Sequence, residues 1–446
     1  MSRRVAVIGA GWSGLACALE LVAGGHAVTL FDAAPQPGGR ARAVTVRLGD
    51  RHFELDNGQH LLIGAYRCTL ALMRRIGVDV DDALLRLPFE LRYPDGFLLR
   101  ARRLPVPLHL AAGLLRANGL SWADRRQVLA FVLRWQRRRW RIAADAPAST
   151  LFDGASAEAV RRLWRPLCLA ALNAELHQAS AQVLLNVLRD SLAAQARSAD
   201  LLVPRRDLTQ VFAGPALQAL AARGADVRLR CPVQQLSAAG SRWHIVSRGE
   251  TSTADAVVLA LPPPRAAALL ASAQHAALAP AIRLLGAIAM APIATVYLRF
   301  APTLRLPWAA STLLDDPGQG RFGQWVFDRG RLDPVNAGVL AVVVSAAGPA
   351  VAVEPPVLAA SVARQLSADL GLPQPLASAV LTEQRATIVP APGLQRPPAR
   401  LALASLYLAG DAADGDYPST LEGSVRAGLA AARAVEADLR PDRGGR

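Results

Sequence analysis

The chain has no lysine: all 50 of its basic residues are arginines, against 35 aspartates and glutamates. That absence excludes a lysine Schiff base, a P-loop lysine on a phosphate and the β3 lysine of a protein kinase. Cysteine is also scarce. Cys17, Cys68, Cys168 and Cys231 lie far apart, and the seven histidines form no pair at metal-ligand spacing. No zinc site, iron–sulfur cluster or other metal is therefore expected, and a reducing compartment fits. The longest uncharged stretch, 334–353, is broken by Pro334, Gly338, Gly348 and Pro349, whereas a membrane-spanning helix needs about 20 apolar residues in a row. Met1-Ser2-Arg3-Arg4 runs directly into Val5-Ala6-Val7-Ile8-Gly9, so no separate signal peptide is expected.

What is present is apolar. Hydrophobic residues make up 52% of the 446 positions and charged residues 19%, enough to bury a core, and the length exceeds what one core usually spans. The net charge of +15, in an alanine- and arginine-rich chain without lysine, reads first as coding bias.

The strongest local signal is at the start. Residues 4–8 read as a buried parallel strand, Gly9-Ala10-Gly11-Trp12-Ser13-Gly14 follows, and Leu15 to Val22 reads as a helix stopped by Gly24-Gly25. Gly9 permits the tight turn, Gly11 lets backbone approach a pyrophosphate, and Gly14 lets the helix pack on the strand. A second strand, Ala27 to Phe31, ends at Asp32, eighteen residues after Gly14, where a carboxylate meets ribose hydroxyls. An acid there favours FAD or NAD over NADP.

Pro37-Gly38-Gly39-Arg40-Ala41-Arg42 and Phe53-Glu54-Leu55-Asp56-Asn57-Gly58-Gln59-His60 decide between those two. With them the chain resembles the FAD-dependent amine-oxidase and phytoene-desaturase superfamily, in which a Gly-Gly-Arg turn meets the FAD diphosphate and an Asp-x-Gly turn lies beside the isoalloxazine. Arg40 is the natural diphosphate partner. The resemblance implies an α/β fold, a Rossmann-like FAD-binding domain of GR2-type flavoproteins with an inserted α+β substrate-binding domain. The expected FAD-binding parts are 1–70, 201–279 and 386–446, and the expected substrate-binding, membrane-facing parts are 71–200, mostly helical by pattern, and 280–385. It further implies that the Val233 backbone faces the adenine, that Gly410-Asp411 holds the ribityl chain, and that Thr420 and Leu421 open a small-residue helix over the flavin pyrimidine. Trp12, Ser13, Gly58 and Gln59 join Gly9, Gly11, Gly14, Asp32, Gly38, Gly39 and Arg40 in the expected FAD site. No cysteine lies near the C-terminal motif, so the FAD is expected to be noncovalent.

Gly11–Ala16, Asp56–Tyr66, Trp164–Asn173 and Leu202–Leu208 are similar, in order, to stretches of the bacterial hydroxysqualene dehydroxylases, also called squalene-associated FAD-dependent desaturases. This resemblance implies reductive removal of a hydroxyl from hydroxysqualene to give squalene in hopanoid-precursor synthesis, with reduced FAD as electron source. The electron donor to FAD stays unidentified. The chemistry asks for an acid, a dry apolar tunnel and a planar flavin. His60 is the candidate acid because histidine titrates in a useful range, although it could equally just shape its turn. Asp56 could orient His60 or cap the turn, and Tyr66, Asn173, Glu175, Tyr417 and Glu422 are further polar candidates for the pocket.

Three alternatives share the fold. A carotenoid desaturase would differ in pocket length. Many flavin amine oxidases use a lysine at flavin N5, which this chain lacks. A prenyl-lipid carrier would not need the intact glycine and aspartate motifs. Outside the site, Val128, Leu129, Val132, Leu133, Trp135 and Trp140 fall on one helical face and Arg134, Arg137, Arg138 and Arg141 on the other. That helix reads as a solvated face or as a membrane-surface anchor with tryptophan at the boundary; no nucleic-acid-binding fold accompanies it. A C30 isoprenoid substrate gives membrane contact a chemical motive, with Pro88, Pro94, Pro105 and Pro107 punctuating the mouth of a tunnel. The expected location is cytoplasmic, peripheral to the inner face of the cell membrane.

Overall fold

A computed structural model of the chain describes residues 2–439 apart from 103, 105–107 and 196. Pro105 and Pro107 lie outside the described residues. The N-terminal strand Arg4–Ile8 is buried from Val5 onward and pairs in parallel with Ala27–Phe31 on one side and Ala256–Leu259 on the other. Asp226–Arg228 and Leu406–Leu408 complete a five-stranded parallel sheet. Its central strands are continuous apolar runs because both faces are covered.

Helix Trp12–Ala23 follows the first strand, and the C-terminal helix Leu421–Leu439 lies against it. The small residues of the latter serve this contact: a Cβ at Gly428 would fall 2.1 Å from the Ser13 carbonyl oxygen. A three-stranded antiparallel sheet, Val233–Ala239, Arg242–Ser247 and Glu250–Ala254, links the third and fourth strands of the Rossmann core in sequence.

The rest of the chain builds a second, antiparallel sheet in the order Ala310–Thr312, Trp325–Asp328, Val339–Val344, Met290–Arg299, Ala377–Ile388. Helix Pro355–Leu370 packs on it through Leu358, Val362 and Leu366. Residues 71–200 are less purely helical than their pattern predicts. Leu84–Leu87 pairs with Leu201–Pro204, and Glu90–Arg92 pairs with Leu98–Arg100. Apolar runs this short do not distinguish a strand from a helix turn by periodicity.

Of the two readings of the amphipathic helix, the structure contradicts the anchor with tryptophan at the boundary. The helix runs from Trp122 to Arg137 behind a capping box made by Ser121 and Asp124. Trp135 and Trp140 are both buried, in a core that includes the cluster of Phe131, Phe152 and Trp164, whose ring centroids stand 4.6–5.4 Å apart. These tryptophans are core residues and cannot sit at a lipid boundary. No helix among the described residues is long and apolar enough to cross a membrane.

Candidate active site

A cavity of ≈ 590 Å³ opens at the carboxyl ends of the parallel strands, lined by Gly9 after the first, Asp32 after the second, Ala260 after the fourth and Gly410 after the fifth. Ligands of open α/β sheets bind at this edge. The cavity continues between the two sheets, where Phe89, Leu91, Leu184, Val187, Trp325 and Phe327 form an apolar wall.

At the sheet end the chain leaves room by lacking side chains. Gly9 has φ +111°, and a Cβ there would meet the Ala260 carbonyl oxygen at 2.4 Å; a Cβ on Gly39 would fall 3.2 Å from the Gly11 Cα. The Gly38 N–H donates to the Ala10 carbonyl at 2.8 Å, locking the second glycine turn against the first. Gly14 does not line the cavity. Its absent Cβ would sit 1.8 Å from the Gly9 carbonyl oxygen, so its place is helix-to-strand packing. Trp12 lines the wall while its Nε1 donates to the Ala41 carbonyl at 3.2 Å and its ring stacks on Phe212.

Polar groups converge on this cradle. The Asp32 carboxylate accepts from the Ala10 N–H at 2.6 Å and the Ala34 N–H at 2.7 Å. Arg40 donates to the Ala386 carbonyl at 2.5 Å and to Asp411 Oδ2 at 2.5 Å. The Ser13 hydroxyl is buried and has no partner in the protein. Thr420 caps the C-terminal helix by accepting from the Gly423 N–H at 3.0 Å, so Thr420, Leu421 and Ser424 present a helix N-terminus to the cavity. Open glycine turns, a carboxylate, an arginine, an unpartnered hydroxyl and a helix N-terminus match a dinucleotide with a diphosphate and polyol hydroxyls.

The Gly58-Gln59-His60 turn forms part of the wall where the two halves meet. The Gln59 N–H donates to Thr295 Oγ1 at 3.2 Å and its Nε2 to the His60 carbonyl at 3.0 Å. His60 Nδ1 lies 2.5 Å from the Gly58 carbonyl oxygen, which assigns the proton to Nδ1 and leaves Nε2 an acceptor. Burial lowers its pKa to about 4, with the Gly58 bond acting the other way, so the imidazole is neutral near pH 7 and does not titrate in the range expected of it.

Asp56 does not orient His60. Its Oδ1 accepts from the Leu208 N–H at 2.7 Å, its carbonyl accepts from the Tyr297 hydroxyl at 2.9 Å, and it lies off the cavity wall. Burial raises its carboxyl to about 7, against the nearby Arg329 charge. Val233 also lies off the wall, two residues beyond the Cys231 N–H that donates to the Asp32 carbonyl. Of the further polar candidates, Tyr66, Asn173 and Tyr417 line the cavity, whereas Glu175 pairs with Arg165 and the fully buried Glu422 accepts from Thr69 and Arg426.

The flavin-containing amine oxidoreductase family model matches residues 12–436. The chain belongs to this family. As a flavin-containing amine oxidoreductase it is an FAD-dependent oxidoreductase and not a carrier. It is 29% identical to the hydroxysqualene dehydroxylase of Rhodopseudomonas palustris over 98% of this chain and 99% of that protein. It is also 29% identical to the zeta-carotene desaturase of Zea mays, but over 51% of this chain and 42% of that one. Among solved structures, the cyclohexylamine oxidase of Brevibacterium oxydans superposes with a TM-score of 0.70 at 19% identity, covering 98% of this chain and all of the other. The α/β flavoprotein architecture expected of the sequence is thereby established, and flavin is the cofactor of the family.

The sequence reading missed Arg42 and Arg265 on the wall and the fully buried Arg329, which donates to Gln59 Oε1 at 3.3 Å and the Pro204 carbonyl at 3.1 Å. Arg42 stood within a quoted motif. Arg329 follows a strand remote in sequence from the groups its guanidinium bonds, and no local pattern marks it.

Proposed function

We propose that this flavoenzyme removes the hydroxyl group of hydroxysqualene reductively, giving squalene. The observation that carries this reading is the cavity itself. A polar cradle at the sheet edge passes into a wall built from Phe89, Leu91, Val187, Trp325 and Phe327, which suits a long hydrocarbon with one polar group at the junction. The end-to-end likeness to a hydroxysqualene dehydroxylase supports the same substrate.

In this reading Gly9, Gly11, Gly39, Asp32, Arg40 and Asp411 hold FAD without a covalent bond. Bound and reduced, the flavin supplies the hydride equivalent that replaces the hydroxyl. His60, neutral and with Nε2 free to accept, positions the substrate hydroxyl by hydrogen bonding. The buried, unpartnered Tyr417 hydroxyl lines the same cavity and stays protonated because burial raises its pKa, so it is a donor that can give the substrate hydroxyl the proton with which it leaves as water. The apolar wall excludes water, which would otherwise capture a developing allylic cation. The insolubility of such a substrate supports an enzyme working at a membrane surface, and in this reading that is the cytoplasmic face.

The test is anaerobic. The purified holoenzyme is reduced with dithionite and mixed with hydroxysqualene, and flavin absorbance is followed together with squalene by mass spectrometry. Stoichiometric flavin reoxidation and squalene formation support the proposal. Reduced flavin that persists, with no squalene formed, rejects it.

A further inference from the structure

We infer that the surface formed by Leu104 and the helices Leu108–Leu115 and Trp122–Arg137 is the face by which this enzyme docks on an anionic lipid bilayer. The inference locates the membrane contact included in the proposed function, on side chains other than the two buried tryptophans.

Helix Leu108–Leu115 and helix Trp122–Arg137 lie side by side. Arg125 ties them together, donating from Nη1 to the Leu115 carbonyl at 2.7 Å and from Nη2 to the Ala117 carbonyl, with its guanidinium 4.7 Å from the Trp122 ring. On the first helix Leu108 and Leu115 are seven residues apart, about two turns, and so share a face. On the second, Trp122 and Leu133 are eleven residues apart, about three turns, and do the same. All four face water: Leu108 is 57% exposed, Leu115 50%, Trp122 64% and Leu133 49%, and Leu104 adds 40%. Large side chains exposed in such a cluster mark a contact surface.

Along this stretch of the chain the charge is almost all of one sign. Residues 100–141 contain eleven arginines and one carboxylate, Asp124, and so hold ten of the chain's fifteen net positive charges. Asp124 is buried and turned onto the Ser121 N–H and hydroxyl in the capping box. Of the arginines described in this stretch only Arg100 holds an ion pair, with Glu90. Exposed leucine and tryptophan framed by unpaired arginine complement an apolar interior under anionic headgroups. Nucleic acid would answer the arginines and leave the leucines without partners.

The surface also adjoins the substrate route. Helix Leu108–Leu115 packs so tightly on strand Leu98–Arg100 that a Cβ on Gly113 would sit 2.4 Å from the Arg100 carbonyl oxygen. That strand pairs with Glu90–Arg92, whose Leu91 lines the cavity, as does neighbouring Phe89. A lipid dissolved in the bilayer beneath this face is one strand pair away from the apolar half of the site.

The test uses the full-length holoenzyme and vesicles of phosphatidylcholine alone or mixed with phosphatidylglycerol, scored by sedimentation over a salt series. Wild type is expected on the mixed vesicles at low salt and to come off as salt rises. Leu115→Ser with Trp122→Ser is expected to weaken binding at least about tenfold at every salt concentration. Arg116→Gln with Arg126→Gln and Arg134→Gln is expected to weaken it about fivefold per arginine and flatten the salt dependence. An unchanged flavin spectrum confirms that each variant is folded, and turnover in detergent micelles, unchanged from wild type, separates loss of docking from failure of the proposed reaction. Wild type that stays in the supernatant, variants that sediment like wild type, retention on RNA without vesicle binding, or a dimer that only the Leu115/Trp122 variant dissolves would each overturn the inference.

Discussion

Arg40 Nη2 donates to Asp411 Oδ2 across 2.5 Å, joining two residues 371 positions apart in the chain. One comes from the second glycine turn and the other from the end of the last parallel strand, so the bond can form only once the sheet edge is assembled. The Asp411 side chain is 6% exposed and that of Arg40 30%, and both border the cavity where a dinucleotide fits. The pair is therefore a preset element of the cradle, with a cation ready for phosphate and an anion ready for hydroxyls.

Replacing Arg40 should show this directly. Arg40→Met removes the charge-assisted donors and leaves Asp411 without its partner, and FAD affinity is expected to fall about 10- to 100-fold. Titration of apoprotein with FAD, read by flavin fluorescence, measures it. An unaltered Kd would remove Arg40 from the cofactor site.

Packing of the two helices on the cradle offers a second check. A Cβ on Gly428 would lie 2.1 Å from the Ser13 carbonyl oxygen, and one on Gly14 would lie 1.8 Å from that of Gly9. Neither neighbour is a flexible side-chain end. Gly428→Ala and Gly14→Ala are each expected to cost about 2–3 kcal/mol of stability or more, whereas Gly77→Ala, where a Cβ meets nothing within 4 Å but φ is +85°, should cost about 1 kcal/mol. Chemical denaturation of the three variants ranks them, and an order with Gly77 first would contradict the packing.

A third prediction concerns Glu422. This carboxylate is fully buried and satisfies the Cys68 and Thr69 N–H groups at the start of helix Arg67–Arg75, the Thr69 hydroxyl and Arg426. Glu422→Ala leaves the Cys68 and Thr69 donors without an acceptor and Arg426 with Asp190 alone, and is expected to cost about 3–5 kcal/mol. A denaturation midpoint equal to that of wild type would refute the role.

How much of this was legible in the sequence depends on how local each signal is. Gly9 to Asp32 form one contiguous strand–turn–helix–strand unit, so spacing alone places them at one sheet edge. Asp411 was singled out by the family resemblance, which places a Gly-Asp step after a late strand of the flavin domain. Periodicity also found the helix around residue 130 but left open whether its tryptophans meet solvent or lipid, because the core that Trp135 and Trp140 join includes Phe152 and Trp164 from segments 148–152 and 160–164. Asp56 failed as an orienter of His60 for the same reason: its partners Leu208 and Tyr297 lie about 150 and 240 residues away in the chain. Arg329 has no local signature, since its partners Gln59, Pro204 and Arg205 all come from other parts of the chain.

Asp56 and His60 should have opposed effects on stability as pH changes. Burial raises the Asp56 carboxyl from 3.8 to about 7, so between those values the folded chain holds a proton that the unfolded chain releases, and stability falls as pH rises. Burial lowers His60 from 6.5 to about 4. Between pH 4 and 6.5 the unfolded chain is then the one holding the extra proton, and stability rises with pH. The two slopes nearly cancel in wild type over that shared window. Asp56→Asn removes the falling contribution, so its slope from pH 4 to 6.5 should be more positive than that of wild type. His60→Ala removes the rising contribution, so its slope over the same range should be more negative than that of wild type. Denaturant titrations of the three proteins across this range measure the slopes, and a variant slope that does not move from the wild-type value in the stated direction would show that the side chain does not titrate as its burial dictates.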